Sequence, residues 1–386
     1  MKSNQSPPVS DLELDQADLI NLALRAFHRA EQSNPRLEAH LDLAGHLVRL
    51  QFAGSALPSR ILPALAHRQV PPGDRPDLTI SLWDNASTGS RLPVLLESFL
   101  RSIKANPWES LDTRHGVRGM NDTRIQTVFR LGPVDILSVF DRAQARAVYW
   151  MEDGALLPYW ERGSPLQTIL NWWAESQSMQ YVHAAAVGTF SGAVLMVGAG
   201  GSGKSTAALA CLDSPLAYVA DDYCLVRVDP EPRVFSLYNT AKLIGPEDLA
   251  RFPGLGGTIV NPDRGPTDKA LLSLYPEIAS APEGRGDNPV KGSSAGRASR
   301  LLDQAPLRAV LLPSVTGQAP TRLTAVSRAE ALRALAPSTV FQLPGTNQSA
   351  LSRMSQLVRR LPCYRLEMGP DITTVPPILV ELLESL

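Results

Sequence analysis

Apolar residues along the chain alternate between two periods, and the alternation marks out an α/β protein. From 12 to 30 they recur at helical spacing, with Leu19, Leu22, Leu24 and Phe27 on the repeat. Residues 40–52 instead alternate in steps of two, as strands do. The run 77–83, DLTISLW, reads as a strand ending in the turn-forming pair Asp84-Asn85. Residues 89–103 return to a helical pattern. Three short apolar runs follow, 125–131, 134–140 and 147–151, separated by Gly, Pro and Asp. That spacing predicts an antiparallel meander. We place the end of this N-terminal α+β module near residue 160, which divides the chain into 1–160 and 161–386.

The second part reads as alternating strands and helices, the pattern of an α/β layer structure. A helix is expected over 165–177, PLQTILNWWAESQ. Two apolar runs, 181–187 and 193–197, joined by Thr189-Phe190-Ser191-Gly192, predict a strand pair leading into a glycine loop. Residues 205–212 turn helical. The run 216–220 is a buried strand that closes on Asp221-Asp222, with 223–228 as its continuation. After 236–243 the pattern becomes irregular, and 279–300 has almost no large apolar groups, which predicts a mobile loop. A strand is expected at 309–312. Ser327 with Glu330 offers a capping box for a helix at 328–335. A helix at 349–361, a strand at 363–368 and a helix at 377–385 complete the chain.

Composition narrows the function classes. With 386 residues, 44% hydrophobic and 19% charged, the chain suits a soluble globular protein of about two domains. A formal net charge of -1 offers nothing to nucleic acid or an anionic membrane surface. Cys211, Cys224 and Cys363 include no CxxC pair and read as reduced, buried thiols. The N-terminal sequence MKSNQSPPVSDLELDQ is polar and acidic, unlike a signal peptide. No apolar run reaches the roughly 18 residues needed to cross a bilayer. A cytoplasmic protein without nucleic-acid or membrane partners is therefore expected. No zinc spacing, GxSxG elbow or protein-kinase glycine loop is present.

Chemistry concentrates around one segment. Gly198-Ala199-Gly200-Gly201-Ser202-Gly203-Lys204-Ser205 satisfies the G-x-x-x-x-G-K-[ST] pattern at every fixed position. Glycines permit the backbone angles that aim successive N–H groups at phosphates, and the helix that follows presents its positive end. Gly198 through Thr206 are thus candidates for nucleotide binding. Lys204 is placed to reach the β- and γ-phosphates, and the Ser205 hydroxyl to ligate Mg²⁺. Asp221 and Asp222 stand at the end of the next apolar strand. Neighbours on a strand face opposite sides, so one can hold Mg²⁺ while the other takes a proton from an attacking hydroxyl. His183 precedes the loop by one strand; from spacing alone it reads as structural.

The segment from His183 to Val226, HAAAVG…VLMVGAGGSGKSTAALACL…YVADDYCLV, resembles HPr kinase/phosphorylase. The order His, phosphate loop, V-A-D-D matches that family. The resemblance implies a P-loop kinase core of HPr-kinase/PEP-carboxykinase type, using ATP and Mg²⁺. It places His183, Lys204, Asp221 and Asp222 on catalytic positions, with Ser205 on a metal ligand, and gives the histidine the role of supporting the base. Which aspartate is the base is left open, and so is the metal set of Ser205, Asp221 and Asp222. The family's downstream R-G-x-G segment with a metal-binding Glu is replaced here by Phe235-Ser236-Leu237-Tyr238-Asn239-Thr240-Ala241-Lys242-Leu243, with no matching Glu. The segments SLYNTAKL and PSTVFQLPG look closer to divergent HPr-kinase-like proteins, including lasso-peptide kinases that phosphorylate a precursor's C-terminal serine.

The expected function is transfer of the γ-phosphate of ATP to a serine hydroxyl of a peptide or small protein, with a homo-oligomer possible. A small-molecule kinase, an NTP-hydrolysing switch and a regulatory nucleotide-binding module are the alternatives. Lys242 and Lys269 could contact phosphate, a solvated lysine being the default. Arg264 could bind an acidic peptide or close over ATP. Trp172-Trp173 reads as helix packing.

Overall fold

The computed structural model describes residues 14–265, 268–275, 301–318, 320–340 and 348–386. The loop expected at 279–300 lies outside them. Two β-sheets dominate. The first contains β1 (Arg36–Leu43), β2 (His46–Ala53), β3 (Gln69–Val70), β4 (Leu78–Asp84), β5 (Ile125–Arg130), β6 (Ile136–Asp141) and β7 (Arg146–Met151), in the order β3-β1-β2-β4-β7-β6-β5. β5, β6 and β7 form the expected antiparallel meander, while β2–β4 and β4–β7 are parallel pairs. The helix Gln16–Ser33 starts where the Asp15 carboxylate accepts the Asp18 N–H at 2.7 Å. Its Leu19, Ile20, Ala23 and Phe27 are buried with Trp83, Phe129 and Trp150 of the sheet.

The second sheet contains β8 (Gln180–Val182), β9 (Ala185–Thr189), β10 (Gly192–Met196), β11 (Ala217–Ala220), β12 (Cys224–Arg227) and β13 (Arg233–Phe235). After a separate ribbon, β14 (Thr240–Leu243) with β15 (Ala270–Ser273), it is completed by β16 (Gln304–Val315), β17 (Arg322–Ala325) and β18 (Cys363–Met368). The order is β11-β9-β10-β16-β13-β12-β8, with β18 also on β16 and β17 on β18. β10–β16 and β16–β18 are parallel. One face of the sheet is covered by the helices Arg328–Val340 and Gln348–Arg360, through Ala331, Leu335, Met354 and Leu357. The other is covered by Lys204–Ala210 and Val375–Ser385, through Ala207, Leu209, Leu379 and Leu382. The fold class is the expected α/β.

Four local readings change. The run 181–187 is two strands, not one: β8 and β9 part at His183-Ala184 and lie in different arms of the sheet. Likewise β12 does not continue β11. Asp222 takes a left-handed φ of 67°, and the Tyr223 N–H donates to the Asp221 carbonyl at 2.8 Å, so the chain turns before β12 begins. The stretch after 243 is not wholly irregular, since β15 returns to pair with β14. Only half of the capping box forms: the Glu330 N–H donates to Ser327 Oγ at 3.2 Å, while the Glu330 carboxylate pairs with Arg365.

The two sheets share a core. Leu41, Phe52, Leu82 and Tyr149 of the first bury with Trp172, Trp173, Tyr181, Phe235 and Tyr238 of the second part. Trp172 and Trp173 are thus packing residues, as expected. All three cysteines are free and buried. No helix among the described residues is long and apolar enough to cross a membrane.

Candidate active site at the phosphate loop

Strand β10 delivers the loop and the helix Lys204–Ala210 receives it. Gly201 and Gly203 take φ values of 80° and 99°, which only glycine adopts without strain. Gly203 is fixed by space as well, since an added Cβ would collide with Met368 Cε. Lys204 lies back along the loop and donates to the Gly198 and Ala199 carbonyls at 2.8 and 3.1 Å. Burial lowers its pKa, Lys269 adds to the lowering, and Asp221 and Asp222 oppose it. Thr206 is buried behind the loop, and the buried Ser202 Oγ has no partner among the described residues.

Topology brings His183 to the aspartates. β8 pairs with β12, placing Val182 opposite Cys224, and β9 pairs with β11, placing Ala186 opposite Ala220. Both chain segments therefore cross from one arm of the sheet to the other at the same place. His183 stands in one crossing and Asp221-Asp222 in the other. His183 Nε2 is 3.3 Å from Asp222 Oδ1, and its ring lies 5.0 Å from that of Tyr223. The buried His183 Nδ1 has no partner among the described residues.

The two carboxylates diverge because of the turn at Asp222 rather than strand alternation. Asp221 is 1% exposed. It accepts from Ser205 Oγ at 2.9 Å and from the Lys242 N–H at 3.2 Å, and makes no ion pair among the described residues. Burial first and the charge of Asp222 second raise its pKa. Asp222 is the opposite case. It forms an ion pair with Lys242 Nζ and accepts from Ser164 Oγ at 2.9 Å, besides facing His183. Burial pushes its pKa up, but the Lys242 ammonium and then His183 outweigh it and hold the carboxyl far below the usual range.

The Asp222 side of the site rests on a strut from the first part of the fold. In the short helix Tyr159–Gly163, the buried Glu161 accepts from the Leu166 N–H at 3.0 Å and from Tyr149 of β7 at 3.3 Å, and pairs with Arg130 of β5 at 3.6 Å. Burial, countered by Arg130, raises the Glu161 pKa. The strut presents Ser164 Oγ and the Trp160 carbonyl to Lys242 Nζ, at 3.3 and 3.4 Å.

Lys204, Ser205, Thr206, His183, Asp221, Asp222 and Lys242 open on one cleft of about 560 Å³, also lined by Tyr159, Trp160, Gln167, Ile244, Arg251 and Lys269. That volume is within the range of small-molecule sites. Among the described residues no cluster of three or more His, Cys, Asp or Glu is arranged to hold a metal ion unaided.

No family model matches the chain, and no curated protein matches it. A solved structure does match. It is the Hpr(Ser) kinase/phosphatase from Coxiella burnetii, which is 10% identical, over 53% of this chain and 94% of that one, with a TM-score of 0.26.

The structure thus gathers every predicted site residue, Gly198 to Thr206, His183, Asp221 and Asp222, around one cleft or its loop. Lys269 lines the cleft; Arg264 is not among its lining residues. Sequence reasoning missed Ser164 and Tyr223, and took a solvated side chain as the default for Lys242. Lys242 is in fact buried on Asp222. Its one sequence signal was a charge inside an otherwise apolar and small-residue strand, TAKL.

Proposed function

We propose that the chain is an ATP- and Mg²⁺-dependent kinase that phosphorylates a serine hydroxyl of a peptide or small protein. The supporting observation is the unequal treatment of two adjacent buried carboxylates beside a phosphate loop. Asp221, hydrogen-bonded to the loop's Ser205, makes no ion pair among the described residues; Asp222 is held by a cation, a hydroxyl and an imidazole. An uncompensated buried carboxylate is costly and suits a divalent ion with oxygen ligands. The residues therefore fit the nucleotide and metal. Gly198 to Thr206 would cradle the phosphates, and Ser205 with Asp221 would hold Mg²⁺. When bound, Mg·ATP supplies the transferable phosphoryl group with its charge partly neutralised.

The chain's own residues do the rest. Lys204 is released from loop carbonyls toward anionic oxygens, which a lysine binds more strongly than neutral ones. Asp222 orients the acceptor hydroxyl by accepting its hydrogen bond and then its proton. A carboxylate held this acidic is a weak base. Phosphoryl transfer through a loose transition state asks mainly for a fixed acceptor of the hydrogen bond. His183 and Ser164 fix the Asp222 carboxylate. The tyrosine and tryptophan rings that line the cleft offer apolar surface to a peptide.

Within this reading residues 161–386 are the kinase unit, the 1–160 module braces the Glu161 strut that sets Ser164, through Tyr149 and Arg130, and the setting is cytoplasmic. A lasso-peptide precursor is the acceptor we put forward first, on the resemblance of SLYNTAKL. Most of the companion segment, from 341 on, lies outside the described residues. Mass spectrometry of precursor-like peptides incubated with the protein, ATP and Mg²⁺ tests the proposal. Gain of one phosphoryl group on a serine is expected. ATP hydrolysis with no peptide modified would favour an NTP-hydrolysing switch instead.

A further inference from the structure

Lys242 places a positive charge where a metal ion would otherwise be needed. Its side chain is 8% exposed, and its ammonium lies against Asp222 Oδ2, Ser164 Oγ and the Trp160 carbonyl. The backbone is shaped to admit it: a Cβ at Gly163 would come within 2.8 Å of Lys242 Cε and 2.6 Å of Leu271 Cδ1. Strand β14 carries the residue, and β14 is held on both sides. Lys242 pairs with Leu271 across the ribbon, and the Thr240 hydroxyl donates to the Gly163 carbonyl. The same residue serves both aspartates, its ammonium facing Asp222 and its backbone N–H facing Asp221.

Both Asp222 oxygens already face donors, Lys242 and Ser164 on Oδ2 and His183 on Oδ1. Among the described residues Asp221 accepts hydrogen bonds from neutral donors only. A divalent cation approaching Asp222 would have to displace an ammonium that is itself buried, leaving that charge without a partner. At Asp221 it would displace at most a hydroxyl hydrogen bond, and the hydroxyl could become a ligand. We infer that Lys242 is a positioning residue that stands in for a second metal ion, confining the divalent cation to Asp221 and Ser205 and fixing Asp222 toward the acceptor. The activity part of this inference rests on the kinase reading; the metal-binding part does not.

Mn²⁺ titrated into the nucleotide-free protein and followed by electron paramagnetic resonance separates the two. The parent should bind one Mn²⁺. Asp221→Asn should weaken that site at least tenfold, whereas Asp222→Asn should leave it within about threefold. Lys242→Met should gain a second Mn²⁺ at the freed Asp222. Should Lys242→Met fail to fold, the paired variant Lys242→Met/Asp222→Asn removes both charges and should again bind one ion. In single-turnover transfer to a peptide, Lys242→Met should slow the step by about 10²-fold or more while nucleotide affinity stays within about threefold, and Lys242→Arg should recover part of the rate. A parent that binds two ions or none, or whose single ion is lost in Asp222→Asn, overturns the inference. So does a Lys242→Met protein that transfers at the parent rate. A parent with the expected Mn²⁺ behaviour that phosphorylates no peptide would instead count against the kinase reading alone.

Discussion

Asp221 and Asp222 are neighbours in the chain, yet they face flanks of the cleft assembled in different ways. The Asp221 flank is mostly local: a glycine loop, the first turn of a helix and the end of the next strand lie within 25 residues, from Gly198 to Asp222, joined from β14 only by the Lys242 N–H. The Asp222 flank is collected from Ser164, His183 and Lys242, and braced through Glu161 onto Tyr149 and Arg130 of the other sheet. Among the described residues the local flank gives its carboxylate no ion-pair partner, whereas the collected flank supplies one. A buried carboxylate without a cation is a place for an ion to enter, while one already paired is a fixed structural element. On the proposed reading the difference separates a binding role from an orienting role.

The strongest way to break that comparison is to neutralise each carboxylate. Asp222→Asn should slow single-turnover transfer by about 10²–10⁴-fold with nucleotide affinity near the parent's. Asp221→Asn should raise the Mg²⁺ concentration needed for nucleotide binding. Equal behaviour of the two variants in both assays would remove the division of roles. Lys204→Ala on the local flank should cost about 10²–10³-fold in transfer while circular dichroism stays unchanged, since it opens no core cavity.

Stability should part the two aspartates in opposite directions. Asp222→Asn strands the buried Lys242 ammonium and should destabilise the metal-free protein by about 3 kcal/mol in urea unfolding, the lower end for a broken buried pair. Gly163→Ala should cost about 1–3 kcal/mol by pressing on Lys242 and Leu271, and should slow transfer as well. An unchanged melting temperature in Gly163→Ala would mean that the strut is looser than its contacts imply.

The smallest effect is in pH. Asp221 has a raised folded pKa, so its contribution to stability is complete below the unfolded value and is lost as pH rises through the folded one. Asp222 has a depressed pKa, so its contribution is present above the unfolded value and lost as pH falls. Asp221→Asn should therefore stabilise the metal-free protein at neutral pH, a gain that shrinks as pH falls toward the ordinary carboxylate range. Asp222→Asn should be most harmful at neutral pH and flatten the acid limb of the stability profile. A pH-independent effect of either substitution would contradict the assigned environments.

What could be read from sequence follows from chain distance. Hydrophobic period is a local property, so the helix at the N-terminus, the three-stranded meander, the hairpin into the loop and the strand Cys363–Met368 were all legible. The phosphate loop was legible for the same reason, because its function depends on consecutive backbone groups and two adjacent side chains. The break at His183-Ala184 and the turn at Asp222 were not. Both lie inside runs whose side chains suit a continuous strand, and only the pairing of β8 with β12 and of β9 with β11 makes the chain cross there. Lys242 was the residue most clearly decided by tertiary structure. An isolated lysine has solvent as its default because burying an ammonium alone is prohibitive. It becomes a buried part of the site only where folding brings Asp222 and Ser164 to meet it, at positions 20 and 78 residues away along the chain.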